Sequence, residues 1–265
     1  MRSLLFMFCL WLTATGVFAD KIGAIAVDAP QPVMVGGYVF PPFSEQHSKG
    51  EWSGLIIDLI ALLNVSQKDY QFEFMPTAAT RRYHDFANGR FDLMFFESPH
   101  WGWQGKPIVS VRGPVIGAEV FIAAAQIGRG QAYFANHKGK RIALFSGYHY
   151  RFAGFNRDKQ YLQREHNAII TFSQDSSVQM VLRGRVELAV IPEAYLASYL
   201  KAFPQYRSQL LISDEPDQYY EYLLIKREGS DPPLDYLSEL MLRLQGEGEL
   251  QKLFVRHGLS VTTED

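Results

Sequence analysis

The chain has 265 residues, a formal net charge of −2 at pH 7 and one cysteine. This near-neutral charge lacks the basic excess of nucleic-acid-binding proteins, and a single cysteine cannot form a disulfide within the chain. The length is sufficient for two domains of typical size, each stabilised by an ordinary hydrophobic core.

The N-terminus has the pattern of a secretory signal peptide. Met1 and Arg2 make a basic start, an apolar run extends over residues 4–18, and Val17-Phe-Ala19 supplies small residues at a cleavage site. An uncleaved membrane anchor is the alternative, but a run of about 15 residues is short for a membrane span. We therefore expect residues 1–19 to be removed and the protein to be located in a bacterial periplasm.

Two aromatic residues follow the first strand pattern on a stiff loop. Residues 33–35 are apolar and form a short strand pattern, and Pro41 and Pro42 exclude a regular helix or ladder soon after it. Tyr38 and Phe40 are therefore presented at the carboxyl end of a strand, in a loop. They belong either to a binding site or to the core.

The second helix pattern begins with two arginines. An amphipathic helix is predicted over residues 55–63, a strand over 70–75, and another helix over 80–87. Arg81 and Arg82 lie in the first turn of that second helix, where the helix dipole disfavours a cation. Such an arginine is either solvated or meets an anionic group of a ligand. Arg81 and Arg112 are the two candidates for the second role, and spacing does not decide between them.

The stretch that follows is the most informative part of the sequence. Gly89 is predicted to end the helix, because glycine adopts positive φ without a steric penalty. Residues 93–96 have the pattern of a buried parallel strand, and the carboxyl ends of such strands face the ligand crevice. A carboxylate, a hydroxyl and two indoles follow within this stretch, from Glu97, Ser98, Trp101 and Trp103. We predict that they lie at a binding site, although either tryptophan could instead pack beneath its rim.

The same pattern recurs 95 residues later. Gly89-Arg-Phe-Asp-Leu93 matches Gly184-Arg-Val-Glu-Leu188, and each copy lies between a helix pattern and an apolar strand pattern. The second strand ends at Glu193, which is a further candidate site residue. We interpret the repeat as two similar α/β lobes, each with a binding edge at its strand ends.

Two segments are predicted to cross between the lobes. Residues 118–125 have the pattern of a strand that leaves the first lobe, and residues 219–225 provide the return crossing. We therefore assign residues 20–115 and 219–265 to lobe 1 and residues 116–218 to lobe 2. Two crossings form a hinge, which permits closure around a ligand.

A polar and aromatic loop follows the first strand of lobe 2, which is predicted over residues 138–145. It contributes four candidate site residues: Ser146, Gly147, Tyr148 and Tyr150. The loop lacks the G-x-x-x-x-G-K-[ST] pattern of a phosphate-binding loop, so a nucleotide is not expected. The histidines are scattered without metal-ligand spacing, and we predict neither a metal nor another cofactor.

The sequence resembles the bacterial extracellular solute-binding proteins of family 3, which have the type II periplasmic binding protein fold. Besides the signal peptide, the matching motifs occur in the family's order: Phe40-Pro-Pro-Phe43, Gly54-Leu-Ile-Ile-Asp-Leu59, Gly89-Arg-Phe-Asp92, Lys138-Gly-Lys140, Gly184-Arg-Val-Glu187 and Gly246-Glu-Gly-Glu-Leu250. The resemblance implies an α/β fold of two lobes joined by a two-crossing hinge. It also implies a monomer that delivers a small solute to the inner-membrane permease of an ABC importer.

The sequence departs from the family at positions that would define the ligand. Amino-acid binders of the family carry an arginine after the third strand, where this chain has Ser98-Pro-His-Trp-Gly-Trp-Gln104. The family's aspartate for the α-ammonium group falls near Glu193, and its Ser/Gly-Thr segment corresponds to residues 146–150. Carboxylates beside aromatic rings favour an amine-bearing or amino-acid-like ligand through ion pairing and cation–π contacts.

Two alternatives to a transport receptor remain. The same binder could serve a sensor, or the scaffold could carry a small-molecule lyase or hydrolase. No Ser–His or His–carboxylate pair is evident from the spacing, so we expect a binding protein rather than an enzyme.

Overall fold

The computed structural model describes residues 29–48 and 50–259. The predicted signal peptide lies outside this part of the chain. Among the described residues, no helix has the length and apolar character needed to cross a membrane.

The described residues form strands and helices that alternate along most of the chain. The strands are β1 (Gln31–Gly37), β2 (Glu45–Gln46), β3 (Trp52–Ser53), β4 (Tyr70–Pro76), β5 (Leu93–Glu97), β6 (Ile108–Ala124), β7 (Ile142–Phe145), β8 (Ala168–Thr171), β9 (Leu188–Pro192), β10 (Leu210–Ile212) and β11 (Gln218–Arg227). The α-helices are α1 (Leu55–Ser66), α2 (Arg82–Ala87), α3 (Lys159–His166), α4 (Gln174–Leu182), α5 (Glu193–Ala202), α6 (Leu234–Gly246) and α7 (Glu249–Arg256). Short 3₁₀ helices cover Gln131–Phe134, Arg151–Ala153 and Pro204–Gln209.

One sheet runs through both lobes in the order β4-β1-β5-β11-β6-β9-β7-β8, with β10 paired to β6. The strand β1 is parallel to β4 and β5, and β7 is parallel to β8 and β9. Between these two parallel halves, β6 and β11 pair with each other and with their outer neighbours in antiparallel fashion. The chain therefore forms two α/β lobes joined by two crossing strands.

The first crossing is longer than the sequence predicted. A single 17-residue strand, β6, replaces the predicted strand over 118–125 and begins at Ile108. Its first half pairs with β11, and its second half pairs with β9 of lobe 2. The predicted lobe boundaries at 115/116 and 218/219 fall within β6 and near the start of β11.

The repeated Gly-Arg pattern has the structure expected of it. Gly89 follows α2 with φ of 69°, and Gly184 follows α4 with φ of 63°. Each glycine precedes a strand that is buried along its whole length, β5 in lobe 1 and β9 in lobe 2. The equivalent position of these strands explains why the same short pattern occurs twice.

Apolar helix faces cover both halves of the sheet. The predicted stripe of α1 is buried at Leu55, Ile56, Leu59, Ile60 and Leu63. In lobe 2, α4 and α5 bury apolar residues in a cluster with the inner residues of β6 and β9. With the helices on the faces of the sheet, the loops at the strand ends are left free to form a site.

Candidate ligand-binding site

The loops that follow β1, β5 and β7 meet between the two lobes. Parallel strands place their carboxyl ends at one edge of a sheet, and here the edges of the two halves face each other. The ring of Tyr148 in lobe 2 packs edge-on against Phe40 in lobe 1, with centroids 5.6 Å apart. The Tyr148 hydroxyl donates a hydrogen bond to the Val39 carbonyl oxygen at 3.4 Å. The lobes are therefore closed against each other.

These loops surround a small cavity with a volume of about 10 Å³, roughly the space of one water molecule. Seven residues line it: Tyr38, Phe40, Arg82, Trp101, Glu119, Tyr148 and His149. Four of them are residues that the sequence placed at a site, whereas Arg82, Glu119 and His149 were not among the predicted ones. The volume is below the roughly 300–1,000 Å³ of typical ligand pockets. Access for a ligand therefore requires the lobes to separate or the aromatic rings to rotate.

A buried ion pair lies at the lobe 1 wall of this cavity. Arg82 Nε, at the start of α2, is 3.3 Å from Glu97 Oε2, at the end of β5, and each side chain is only 1 % exposed. The indole Nε1 of Trp103 donates a 2.6 Å hydrogen bond to the same carboxylate oxygen. Glu97 is thus compensated from within lobe 1.

The guanidinium of Arg82 is held on several sides. It donates to the carbonyl oxygens of Ala79 and Trp101, the latter at 3.3 Å. The rings of Tyr38 and Tyr83 cover it, with centroids 4.8 Å and 4.4 Å from Cζ. Arg82 is therefore a rigid part of the wall.

Burial and charge act in opposite directions on this pair. Burial raises the pKa of Glu97 above its ordinary value, although the Arg82 guanidinium and the Trp103 hydrogen bond act to lower it. Burial lowers the pKa of Arg82, but the Glu97 carboxylate more than offsets this effect and the pKa lies above its ordinary value. We assign both groups as ionised, so that the pair carries no net charge.

An irregular strand end aims Glu97 at Arg82. Phe96 has φ of 60°, in the left-handed region that non-glycine residues rarely adopt. The pairing of β5 with β11 shifts register at the same place, between Leu223 and Ile225. Such irregularities re-aim side chains and are over-represented at functional sites.

Glu119 supplies a second carboxyl group, from the crossing strand β6. Its side chain is buried, and Oε2 accepts a 2.7 Å hydrogen bond from Gln218 Nε2 on β11. The same Gln218 nitrogen donates to the His149 carbonyl oxygen at 2.6 Å, which ties the hinge to the loop of lobe 2. Burial raises the pKa of Glu119 to about 8, and the nearby Asp217 adds to the effect.

Three buried polar atoms of the cavity-lining residues have no hydrogen-bond partner within the described residues. They are Trp101 Nε1, His149 Nδ1 and Arg82 Nε, and the last of these lies 3.3 Å from Glu97 Oε2. Burial, together with the charges of Arg82 and Arg157, lowers the pKa of His149 to about 3, so its imidazole is neutral at pH 7. Native proteins rarely leave buried polar atoms unsatisfied. These atoms therefore mark positions where a ligand or water can bind.

The other lobe 1 candidates lie beside the cavity or away from it. The Arg81 side chain is 66 % exposed and pairs with Asp85 at 3.5 Å. Ser98 is buried, and its Oγ accepts a hydrogen bond from the His100 amide at 3.4 Å. Trp103 is buried behind the ion pair, where its indole packs against neighbouring aromatic rings of α2.

The remaining lobe 2 candidates have different surroundings. Ser146 and Gly147 line a separate open depression together with Thr80 of lobe 1. Tyr150 is fully buried, and its hydroxyl accepts a 2.8 Å hydrogen bond from the Phe145 amide. Glu193 is exposed at the start of α5 and does not line the cavity.

The sequence did contain signals for two of the missed residues. Glu119 is the single charged residue in the apolar run over residues 118–125. Because glutamate is rarely buried, its position in an apolar strand pattern marks it as a candidate functional residue. Arg82 follows the predicted site residue Arg81 directly. The residue at which α2 begins decides which of the two arginines faces the core and which faces solvent.

Comparison with known proteins identifies the fold of the chain. No family model matches the chain, and no curated protein matches it by sequence. Among solved structures, an ABC uptake transporter substrate-binding protein from Streptococcus pneumoniae with bound histidine has a TM-score of 0.70 at 15 % identity, covering 88 % of this chain and 95 % of that one. The chain has the type II periplasmic binding protein fold. The fold implied by the family resemblance is thereby confirmed.

Two further structures with this fold are similar to the chain. One is a histidine kinase sensor domain with similarity to periplasmic binding proteins, with a TM-score of 0.67 at 17 % identity, covering 89 % of this chain and 100 % of that one. The other is an ancestral amino-acid-binding protein, a precursor of cyclohexadienyl dehydratase, with a TM-score of 0.64 at 16 % identity, covering 85 % of this chain and 94 % of that one.

Proposed function

We propose that this protein is a periplasmic solute-binding protein of the family 3 type, which closes on a small polar solute and delivers it to an ABC importer. The solute is amino-acid-like or amine-bearing. The observation that carries this proposal is the cavity between the lobes, where aromatic rings lie around the Glu119 carboxyl group and the unpartnered nitrogens of Trp101 and His149. An ammonium group can pair with such a carboxylate and lie against the ring faces.

The two crossing strands supply the motion that this function needs. Residues of both lobes line the cavity, so a bound solute would contact both and favour the closed arrangement over an open one. Rotation about β6 and β11 would open the cavity to solvent. The inner-membrane permease would then distinguish the closed, loaded protein from the open one.

The similar structures are consistent with this role. They include a substrate-binding protein of an ABC uptake transporter and an ancestral amino-acid-binding protein. The predicted signal peptide supports a periplasmic location. Sequencing the N-terminus of protein from a periplasmic fraction should give Asp20 as the first residue, and size-exclusion chromatography should give a monomer.

A ligand screen tests the binding function. The chain from residue 20 onward is tested by thermal shift against amino acids, amines and organic acids, and hits are measured by calorimetry. Tyr148→Ala removes a ring from the cavity wall and should weaken binding by about 2 kcal/mol, or roughly 30-fold in Kd. Tyr219→Ala is the matched control, since that ring is 69 % exposed, and should leave Kd unchanged. The absence of any hit, or equal Kd values for both variants, would refute the proposal.

A sensor is the second candidate, because a histidine kinase sensor domain shares the fold. Deletion of the gene separates the two roles: loss of solute uptake supports transport, whereas loss of a transcriptional response with intact uptake supports sensing. Incubation of the protein with its solute, followed by NMR, tests the third possibility. A solute recovered unchanged supports binding, and a new product supports a lyase or hydrolase.

A further inference from the structure

We propose that the ligand of this site is a small organic monocation without a carboxylate group, and that Glu119 is the residue that selects it. This inference rests on the proposed function and narrows its ligand to the amine-bearing class. It differs from the amino acids named for similar structures.

The first step concerns the positive charge at the cavity wall. A carboxylate ligand needs a cation whose charge is not already paired, and Arg82 is the single lysine or arginine that lines the cavity within the described residues. Its Nε makes no hydrogen bond but lies 3.3 Å from Glu97 Oε2, which compensates the charge, and two carbonyl oxygens accept from its terminal nitrogens. The rings of Tyr38 and Tyr83 occupy its faces. A ligand carboxylate placed here would also lie near the Glu97 carboxylate.

The second step concerns Glu119, for which the described residues supply no ion-pair partner. Its hydrogen bond comes from Gln218, a neutral side chain. Asp217, an acid whose charge acts on Glu119, already accepts hydrogen bonds from the backbone amides of Arg151 and Phe152. The other ionisable groups around Glu119 come from the loops after β1 and β7, from α2 and from β11: Tyr38, Arg82, Tyr148, His149, Tyr150, Tyr220 and Tyr222.

The sum of these charges determines which ligand charge the cavity can accommodate. The tyrosines are neutral because burial raises the pKa of each hydroxyl, and His149 is neutral because burial lowers the pKa of its ring. Arg82 and Glu97 cancel. Among the lining residues, an ionised Glu119 therefore leaves one negative charge, which one ammonium group neutralises. A zwitterionic amino acid would add an uncompensated carboxylate, and burying an unpaired charge is strongly unfavourable.

The protonation of Glu119 makes the affinity for an ammonium ligand depend on pH. With its pKa raised by burial to about 8, the free protein holds Glu119 mostly protonated at pH 7. Pairing with an ammonium group requires the ionised carboxylate, so binding releases a proton. The apparent affinity should therefore increase between pH 6 and pH 8, by up to about tenfold per pH unit.

Matched pairs of compounds test the inference on the unaltered protein. Calorimetry with the chain from residue 20 onward compares isoamylamine with leucine, phenethylamine with phenylalanine, and histamine with histidine. Each amine differs from its amino acid by the carboxylate alone. At least one amine should bind about 10-fold or more tightly than its amino acid, and titration in buffers of different ionisation enthalpy should show proton release.

Two variants then assign the selectivity to one residue. Glu119→Gln keeps the shape and removes the charge, and should weaken binding of the amine about 100-fold while the amino acid is little affected. Glu193→Gln is the matched control, because that carboxylate is exposed at the start of α5, and should change neither value. Circular dichroism checks that both variants fold.

The outcomes separate this inference from the proposed function. An amino acid that binds as tightly as its amine, or an amine that binds equally to wild type and Glu119→Gln, overturns the inference and leaves a solute-binding protein. If none of the six compounds binds, the inference is overturned, and the wider ligand screen decides the proposed function. Should Glu119→Gln fail to fold, the comparison of matched pairs on the wild type decides the question.

Discussion

The buried pair of Arg82 and Glu97 predicts a large and non-additive effect of substitution. With Nε and Oε2 3.3 Å apart, Coulomb's law at an effective dielectric constant of about 20 gives an attraction of about 5 kcal/mol. Removal of one partner leaves the other charge buried, which typically costs about 3–5 kcal/mol. Arg82→Met and Glu97→Gln should each lower the free energy of unfolding by this amount. The double variant should lose about 3 kcal/mol less than the sum of the two, because it contains neither charge.

Urea unfolding at pH 7, followed by tryptophan fluorescence and circular dichroism, measures these free energies. The matched control is Arg81→Met, one residue away on the same helix. That side chain is 66 % exposed, and its pair with Asp85 is at the surface, so its loss should cost at most about 1 kcal/mol.

Two results would refute the reasoning. One is a loss for Arg82→Met no larger than that for Arg81→Met. The other is strict additivity of Arg82→Met and Glu97→Gln in the double variant. Either result would mean that the two groups do not form a buried ion pair, and the charge assignment of the cavity would fail with it.

Three further predictions follow from burial and close contact. Burial raises the pKa of Glu119 from 4.5 to about 8, so the free energy of unfolding of the wild type should fall as pH rises from 4.5 to 8. Urea unfolding at several pH values should show no such loss for Glu119→Gln. Parallel pH profiles of the two proteins would contradict the assignment. Gly147→Ala places a Cβ 2.9 Å from Thr80 Cγ2 of the opposite lobe, so small-angle scattering should show a larger radius of gyration. The control Gly154→Ala, also at positive φ but with no atom within 4 Å of the added Cβ, should leave the radius unchanged. Equal radii for the two variants would contradict closure of the lobes. Leu59→Ala empties a fully buried position of α1 and should cost about 2–5 kcal/mol in urea unfolding, whereas a loss below 1 kcal/mol would place Leu59 outside the core.

Much of the architecture was predictable because it depends on short patterns. The stops at Gly89 and Gly184 need only a residue that tolerates positive φ, and the apolar runs over β5 and β9 need only burial on both faces. Their repetition predicted two similar lobes. Loops at the ends of parallel strands then placed Tyr38, Phe40, Trp101 and Tyr148 in one region, where they do line a common cavity.

The composition of the cavity wall was less accessible to sequence reasoning. Arg81 and Arg82 are chemically identical in the sequence, and the start of α2 decides which of them is exposed and which lies 1 % exposed beside Glu97. Glu119 is 37 residues from Arg82 along the chain, and only the pairing of β6 with β9 and β11 brings it to the cavity.

The sequence by itself determined the elements, the two-lobe fold and the loops that form the candidate site, because turns, caps and burial patterns act over a few residues. The tertiary structure decided which side chains face one another and which charges are compensated. Ion pairing and pKa values depend on distances and burial between segments far apart in the chain, and a register shift such as that between β5 and β11 has no unique sequence signature. The charge balance that distinguishes an amine from an amino acid therefore exists only in the folded protein.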